Sequence, residues 1–366
     1  MSGLYIHIPF CHGKCFYCDF FSTVNRRQVD DYIDMLSREY LGRKAEIPQP
    51  VTTIYIGGGT PSSLSHTQLR RLFEMLPIGP DIEEFTIELN PEDVNGELIG
   101  LLKEYGVNRV SMGIQSLCDS ELRFIGRRHS GGSAIQAATL LQRSFANTSF
   151  DLMFGLPGQT IDSWKRSVEG ILALRPAHIS AYSLMLEENT LLHRRVKKGE
   201  VLIPSQETNS EMYQVLCASL ATAGYRHYEI SNFSLPGFES LHNSNYWNFT
   251  PYVGLGASAH SFDGNGIRQA NSNSLSQYLT GWKNGRSIEE LSEYDNMVEW
   301  IMLGLRHYRG VNIAEFESRF GIEKSAEIQK SARPQIDAGY LELNDGTLHI
   351  PEKHWLIADN IILSLL

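Results

Sequence analysis

The first chemistry in this chain lies in three cysteines, Cys11, Cys15 and Cys18, in the run His7-Ile8-Pro9-Phe10-Cys11-His12-Gly13-Lys14-Cys15-Phe16-Tyr17-Cys18. Their Cys-x3-Cys-x2-Cys spacing offers three thiolates. A cubane [4Fe–4S] cluster takes one thiolate per iron, so one iron is left open. An open iron accepts a small chelating ligand, and S-adenosylmethionine presents both an amine and a carboxylate for that purpose. Structural zinc is the competing reading, but it almost always closes four protein ligands. The chain has five cysteines in all. The other two, Cys118 after the fourth β-rich run and Cys217 among Val215, Leu216 and Leu220, read as small buried hydrophobes.

Further groups capable of chemistry recur downstream. Gly57-Gly58-Gly59-Thr60-Pro61 follows an apolar run; consecutive glycines admit positive φ and let a ligand approach the backbone, whose N–H groups can bind a carboxylate. Glu88, in Glu-Leu-Asn-Pro, is placed to accept hydrogen bonds from a ribose or an ammonium group, and equally to cap a helix. Gln115, in Gly-Ile-Gln-Ser, has the same two readings. Asp151 opens Asp-Leu-Met-Phe-Gly-Leu-Pro-Gly, and a carboxylate inside an apolar strand needs a partner. Far along the chain, His242-Asn243-Ser244-Asn245-Tyr246-Trp247 combines an imidazole, a common axial ligand to haem iron, with two flat aromatic surfaces. His227 and His260 are alternative imidazoles.

These groups need a scaffold, and the sequence describes one. Six short β-rich runs cover Gly3–Pro9, Thr52–Gly57, Glu84–Asn90, Arg109–Gln115, Ser149–Phe154 and His178–Leu186. Helical patterns at Asp30–Leu41, Thr67–Leu76, Glu97–Glu104, Gly132–Leu141 and Thr160–Leu174 separate them, the last with Thr160 as its N-cap. Strand–helix alternation predicts parallel βαβ units. Chemistry gathered at strand C-terminal ends is the habit of a (β/α) barrel, and six units make an incomplete one. Asn209–Ala223 reads as a helix ended by Gly224. Tyr225–Phe262 is aromatic and glycine-rich with little periodicity, a functional loop by expectation. From Tyr294 onward helices return, followed by a hairpin at Gly339–Ile350 on Asp345-Gly346, an order similar to a winged helix. The expected divisions are 1–225, 226–290 and 291–366.

Composition narrows the classes. With 42 acidic against 32 basic side chains, the net charge is −10. That disfavours a phosphate-tracking surface, so no nucleic-acid partner is expected, despite local runs such as Arg127-Arg128-His129. No apolar run reaches membrane-spanning length, no signal peptide is read at the start, and a thiolate triplet needs reducing surroundings. A cytoplasmic protein is the expectation.

Together, Tyr5-Ile6-His7-Ile8-Pro9-Phe10-Cys11, the cysteine triplet, Gly-Gly-Gly-Thr-Pro, Glu-Leu-Asn-Pro, Gly-Ile-Gln-Ser and Asp-Leu-Met-Phe-Gly-Leu-Pro-Gly-Gln resemble the coproporphyrinogen-oxidase-like branch of the radical S-adenosylmethionine family. The resemblance runs over nearly the whole chain. It implies an α/β fold, an incomplete (β/α)6 TIM-like barrel with a smaller, mostly α, winged-helix-like C-terminal domain. It implies that Cys11, Cys15 and Cys18 ligate a [4Fe–4S] cluster, and that Tyr5, Gly58 and Glu88 contact the S-adenosylmethionine on it. Tyr17, Gly59, Thr60, Gln115, Arg127 and Asp151 match positions that hold a second molecule of it in the oxidase.

Two features depart from the oxidase. Asp19-Phe20-Phe21 stands where the oxidase has a further cysteine, and only four residues precede Tyr5, where the oxidase has an N-terminal arm. Set against these, the His-Asn-x-x-Tyr-Trp string looks like the signature of the haem chaperones in this branch. That resemblance implies haem as cargo, with His242 on its iron, and an acceptor haem protein, a membrane-associated one among the candidates; separately, an exposed aromatic loop would support a homodimer of this chain. The alternative is a radical enzyme that oxidatively decarboxylates a tetrapyrrole propionate in porphyrin biosynthesis.

Overall fold

The computed structural model describes residues 1–366. Six strands follow one another in parallel: β1 (Ser2–Ile8), β2 (Val51–Gly58), β3 (Glu84–Leu89), β4 (Arg109–Gln115), β5 (Asn147–Phe154) and β6 (His178–Ser183). The crossover helices are α1 (Val29–Arg43), α2 (His66–Glu74), α3 (Gly96–Glu104), α4 (Asp119–Phe124) and α5 (Gly131–Gln142), then α6 (Ile161–Leu174). Each strand carries two sets of side chains, because successive residues face opposite ways. Leu4, Ile6, Ile8, Ile54, Ile56, Phe85, Ile87, Val110, Met112, Ile114, Phe150 and Leu152 form the core under the helices. The alternate set, including Tyr5, Tyr55, Glu88, Ser111, Gln115, Asp151 and Ser180, faces the barrel interior. The polar side chains read as chemistry in the sequence are thus the lumen-facing half of an ordinary alternation.

Helix ends follow their local signals. Thr160 caps α6 in a reciprocal capping box with Ser163, and α6 buries Trp164, whose indole N–H donates to Met212 O at 2.8 Å. A fully buried side chain of that kind contributes about 2–3 kcal/mol. Beyond β6 come α7 (Leu191–Lys197) and α8 (Gln206–Thr222), with Gly224 at φ +86° where the chain leaves α8.

The stretch expected to lack regular structure does not lack it. It contains β7 (Arg226–Glu229), β8 (Asn232–Ser234), α9 (Leu241–Trp247), β9 (Tyr252–Leu255) and β10 (His260–Phe262). These elements span only three to seven residues, too short to show a period, and pairing with distant strands defines them. β9 lies parallel to β1, and β8 antiparallel to β6. With β11 (Ile267–Ala270) and β12 (Ser287–Glu290), the sheet reaches twelve strands. Between those two strands lies α10 (Leu275–Thr280). Residues expected as a segment of their own therefore pack into the main core, through Phe233, Val253, Leu255 and Tyr278.

A second core begins beyond it. α11 (Glu293–Leu305), β13 (Val311–Asn312), α12 (Ile313–Phe320), α13 (Ile322–Asp337), β14 (Glu342–Asn344), β15 (Thr347–His349) and α14 (Ala358–Leu363) enclose Ile301, Leu305, Phe316, Ile328, Leu348, Trp355 and Ile361. The order helix, short strand, two helices and hairpin, with β13 pairing against β15 to make a three-stranded sheet, is that of a winged helix. The hairpin turns at Asp345 and Gly346, both at positive φ, as a tight turn matched to strand twist requires.

Candidate functional site

The C-terminal ends of the parallel strands surround a cavity of about 410 Å³. Cys11, Cys15, Cys18, Tyr17, Gly58, Gly59, Thr60, Glu88, Gln115, Arg127 and Asp151 all line it. Tyr5 and His242 do not.

The cysteine loop leaves β1 and is pinned at both ends by backbone bonds. Cys11 N donates to Thr23 O at 3.0 Å, and Phe16 N to Ile125 O at 3.0 Å. All three thiols are free. Thr60 Oγ1 lies 3.5 Å from Cys11 Sγ, and Arg127 Nη1 lies 3.7 Å from Cys15 Sγ. Burial pushes the Cys11 thiol up and the Cys18 thiol up to about 11. A bound iron ion reverses that preference, since a coordinating thiol is deprotonated outright.

The glycine turn fits against this loop. Gly59 N donates to Ile8 O at 2.8 Å, and Thr60 N to Phe10 O at 2.9 Å. A Cβ on Gly59 would lie 2.9 Å from Ile8 O and 3.0 Å from Cys11 Sγ. Gly58 holds φ +111°, and a Cβ there would meet the His7 ring at 2.5 Å. The chain can pass this close to the cysteines only without side chains.

Glu88 is half-buried and doubly held: Tyr55 Oη donates to Oε1 at 2.8 Å, and Gly58 N to Oε2 at 3.0 Å. Burial, with Asp151 nearby, pushes its carboxyl up to about 7. Asp151 accepts from Ser111 Oγ at 3.1 Å, and burial raises its pKa also. Arg127 donates to Asn90 Oδ1 at 3.0 Å and to Gly113 O. Gln115 holds φ +68°, an uncommon conformation for a side chain of its kind, and such positions gather at functional sites.

Residues the sequence reading passed over complete the surroundings. His7 joins Tyr5 Oη at 3.0 Å to Phe21 O at 2.9 Å, so Tyr5 reaches the cysteine loop through an imidazole. Arg109 lies buried in the lumen with its Nε unpartnered. Lumen-face alternation was the signal available for Tyr55 and Arg109, since each shares a strand face with a residue already suspected.

His242 is placed otherwise than expected. Its helix, α9, enters the barrel interior, where Glu84 accepts from Leu241 N at 2.7 Å and His242 N at 3.1 Å. The His242 ring stacks on Tyr55 at 5.2 Å and sits against Gly3. Nδ1 meets Thr53 Oγ1 at 2.8 Å, and Nε2 meets Tyr246 Oη at 3.0 Å. Both nitrogens are engaged, so in this conformation neither is free to meet an iron. Burial pushes the imidazole down to about 3. Asn243 instead lines the cysteine cavity, while Tyr246 and Trp247 line a second cleft.

That cleft, about 590 Å³, lies between the barrel and the C-terminal module. Phe154, Tyr213, Tyr246, Trp247, Trp355 and Leu356 form its apolar walls, with Arg306 and Asp359 among its polar groups. It adjoins the cysteine cavity through Tyr182, Ser183, Met185 and Asn243, which line both. His227 is buried elsewhere, stacked on Phe233. His260 is exposed.

The three thiols in one walled cavity, an open side beside them and a glycine turn against Cys11 fit a three-cysteine cluster with a chelating ligand. Comparison with known proteins agrees at the level of the class. Residues 5–171 match the Radical SAM superfamily, and residues 291–357 match the HemN C-terminal domain. The solved structure of coproporphyrinogen III oxidase (HemN) from Escherichia coli superposes with a TM-score of 0.86 at 24% identity, covering 100% of this chain and 90% of that one; at that identity it shows the fold. Heme chaperone HemW of Lactococcus lactis is 37% identical, with 98% of this chain and 96% of that protein covered. Heme chaperone HemW of Bacillus subtilis is 35% identical, with 99% and 98% covered. The chain belongs to the HemW family of the radical SAM superfamily. The superfamily's [4Fe–4S] cluster and S-adenosylmethionine come with that membership.

Proposed function

We propose that this chain is a haem chaperone: it holds haem in the cleft between barrel and C-terminal module and passes it to an acceptor haem protein. One observation carries the reading in geometric terms. The cleft is walled by aromatic rings, is adjacent to the cysteine cavity, and presents at its edge Arg306, whose guanidinium is paired with Asp359 at 2.6 Å and would have to exchange that partner for a ligand carboxylate. A flat apolar macrocycle with carboxylate arms matches apolar walls with a guanidinium beside them. Relatives described as heme chaperones along nearly their full length support the same conclusion.

In this reading Cys11, Cys15 and Cys18 hold the cluster, which when bound supplies a redox-active iron with an open position for S-adenosylmethionine. Glu88, Gly58, Gly59, Thr60, Tyr17, Gln115, Arg127 and Asp151 bind and orient that ligand. Tyr5 acts through His7. His242 is a positioning residue, because it fixes Tyr246 from below the cleft. The Met185 thioether, common to both cavities, would offer haem iron a sulfur ligand of a kind it takes. An acceptor at a membrane, a homodimer and a cytoplasmic location belong to the proposal; no helix of the structure is long and apolar enough to cross a membrane.

An anaerobic haem titration of the cluster-loaded protein, followed in the Soret region, tests this. Saturable binding near one haem per chain is expected, and Trp247→Ala should weaken it about tenfold, the loss of one aromatic contact. Absence of saturable binding, with turnover of coproporphyrinogen, would replace the chaperone by the oxidase.

A further inference from the structure

Cys217, His227 and Glu352 come from three separate parts of the chain. Cys217 lies on α8 and His227 on β7, both part of the barrel body, whereas Glu352 begins the turn before α14 in the C-terminal module. Their ligand atoms nevertheless lie within 4.8 Å of one another. No other trio of histidine, cysteine and carboxylate groups gathers so tightly; Cys11, Cys15 and Cys18 are spread wider, as a cluster of four irons needs.

The histidine defines the chemistry. His227 Nε2 lies 3.3 Å from Ile230 O, and Nδ1 lies 3.0 Å from Glu352 Oε1. A backbone carbonyl only accepts, so the Nε2 hydrogen points at Ile230. Nδ1 then faces the carboxylate at 3.0 Å, a contact that a proton or a bound cation between them satisfies. A proton there gives a simple ion pair. An ion pair alone leaves the thiol beside it without a role. Cys217 faces the same point, and its thiol is the neighbour of the Tyr213 hydroxyl, which forms no well-aligned hydrogen bond of its own. A metal-bound histidine characteristically donates its other N–H to a backbone carbonyl. Thiolate, imidazole and carboxylate together are the donor set of zinc, which accepts three protein ligands and a fourth, open position.

We propose that Cys217, His227 and Glu352 form a binding site for a divalent cation of the zinc class, which ties the C-terminal module to the barrel. The ring of His227 is held for this role, stacked 4.0 Å from Phe233 and meeting the tilted Trp355 ring at 4.4 Å. Burial pushes the Cys217 thiol up to about 12, so metal binding displaces a proton from it, as for other thiol sites. Tyr213 and Trp355 also wall the apolar cleft. The cation therefore fixes the spacing of two cleft walls that belong to different modules.

The test uses the full chain with its iron–sulfur cluster reconstituted. The protein is equilibrated with Zn2+, passed over a chelating resin, and assayed for zinc and iron by mass spectrometry and for zinc ligation by X-ray absorption. About one zinc per chain is expected, with one sulfur at about 2.3 Å and nitrogen or oxygen at about 2.0 Å. Cys217→Ser and His227→Ala should lose the zinc and keep the iron. Glu352→Gln alters a half-exposed side chain outside both apolar cores, and should weaken zinc retention at least tenfold; it decides the matter if the buried variants fail to fold. Zinc absent from the native chain, a shell of three sulfurs, or retention unchanged in Glu352→Gln would each overturn the site.

Discussion

Replacing His242 by alanine separates a positioning histidine from a haem ligand. The variant loses two buried hydrogen bonds, to Thr53 and Tyr246, worth about 1 kcal/mol each. Thr53 keeps a bond from Asn245 Nδ2 at 3.1 Å, but the Tyr246 hydroxyl is left unpaired, at a cost of about 1–3 kcal/mol. With the cavity left by the ring, the loss sums to about 4 kcal/mol, or about 8 °C in Tm for a domain of this size. The pH dependence sharpens the test. In the folded protein the imidazole is pushed down to about 3 by burial and then by Arg109, whereas an unfolded chain protonates it near 6.5. Below 6.5 the unfolded state binds a proton that the folded state refuses, so native stability falls by about 1.4 kcal/mol per pH unit down to about pH 3. The alanine variant lacks that term. Its Tm deficit should shrink from about 8 °C at pH 7.5 to about 5 °C at pH 5.5, read by differential scanning calorimetry. The axial-ligand signature of bound haem should stay that of the native protein. An unchanged Tm together with an altered axial signature would refute the reasoning and return His242 to the iron.

Three further outcomes follow from the same geometry. Cys15→Ser should abolish the visible absorption of the reconstituted cluster, whereas Cys118→Ser should leave it intact; an intact signal in the first would remove Cys15 from the ligand set. Gly59→Ala drives a Cβ to 2.9 Å from Ile8 O and 3.0 Å from Cys11 Sγ, and since a carbonyl cannot move cheaply, iron and sulfide incorporation should drop severalfold while circular dichroism is unchanged. Glu88, with its carboxyl raised to about 7 mainly by burial, contributes stability that is full below pH 4.5 and is lost as pH rises through 7. A cationic ligand beside it draws that proton off, so calorimetry of S-adenosylmethionine binding near pH 7 in buffers of different ionisation enthalpy should show proton release, absent in Glu88→Gln.

Much of this fold was legible because each local signal acted alone. The six strand runs ended within a few residues of β1–β6, since a buried parallel strand is a short apolar run and little else. Thr160 capped α6, and Asp345-Gly346 turned the hairpin, each by its own backbone chemistry. Residues 225–262 were harder for the opposite reason. β9 is four residues long and exists because β1 offers it a parallel edge, a fact about a partner some 250 positions away in sequence.

The residues that line the cysteine cavity were legible by type, and one suspected residue, His242, lies apart from them. Cys11, Gly58 and Glu88 declare themselves, because few structures need a thiol triplet, a triple glycine or a carboxylate in those places. His242 sits in a string suited to haem, and only three dimensions reveal that the helix has two faces. One face buries His242 and Asn245 against Thr53 as a plug in the barrel floor; the other turns Asn243 to the cysteine cavity and Trp247 to the apolar cleft. A helix fixed in this way cannot adjust to an occupant of the cleft without disturbing Asn243, and Tyr182, Ser183 and Met185 wall both cavities. If haem in the cleft changes the affinity for S-adenosylmethionine by some factor, linkage requires the same factor in return. Cofactor occupancy then becomes a handle on haem release through shared walls alone, with no step of bond chemistry on the cargo.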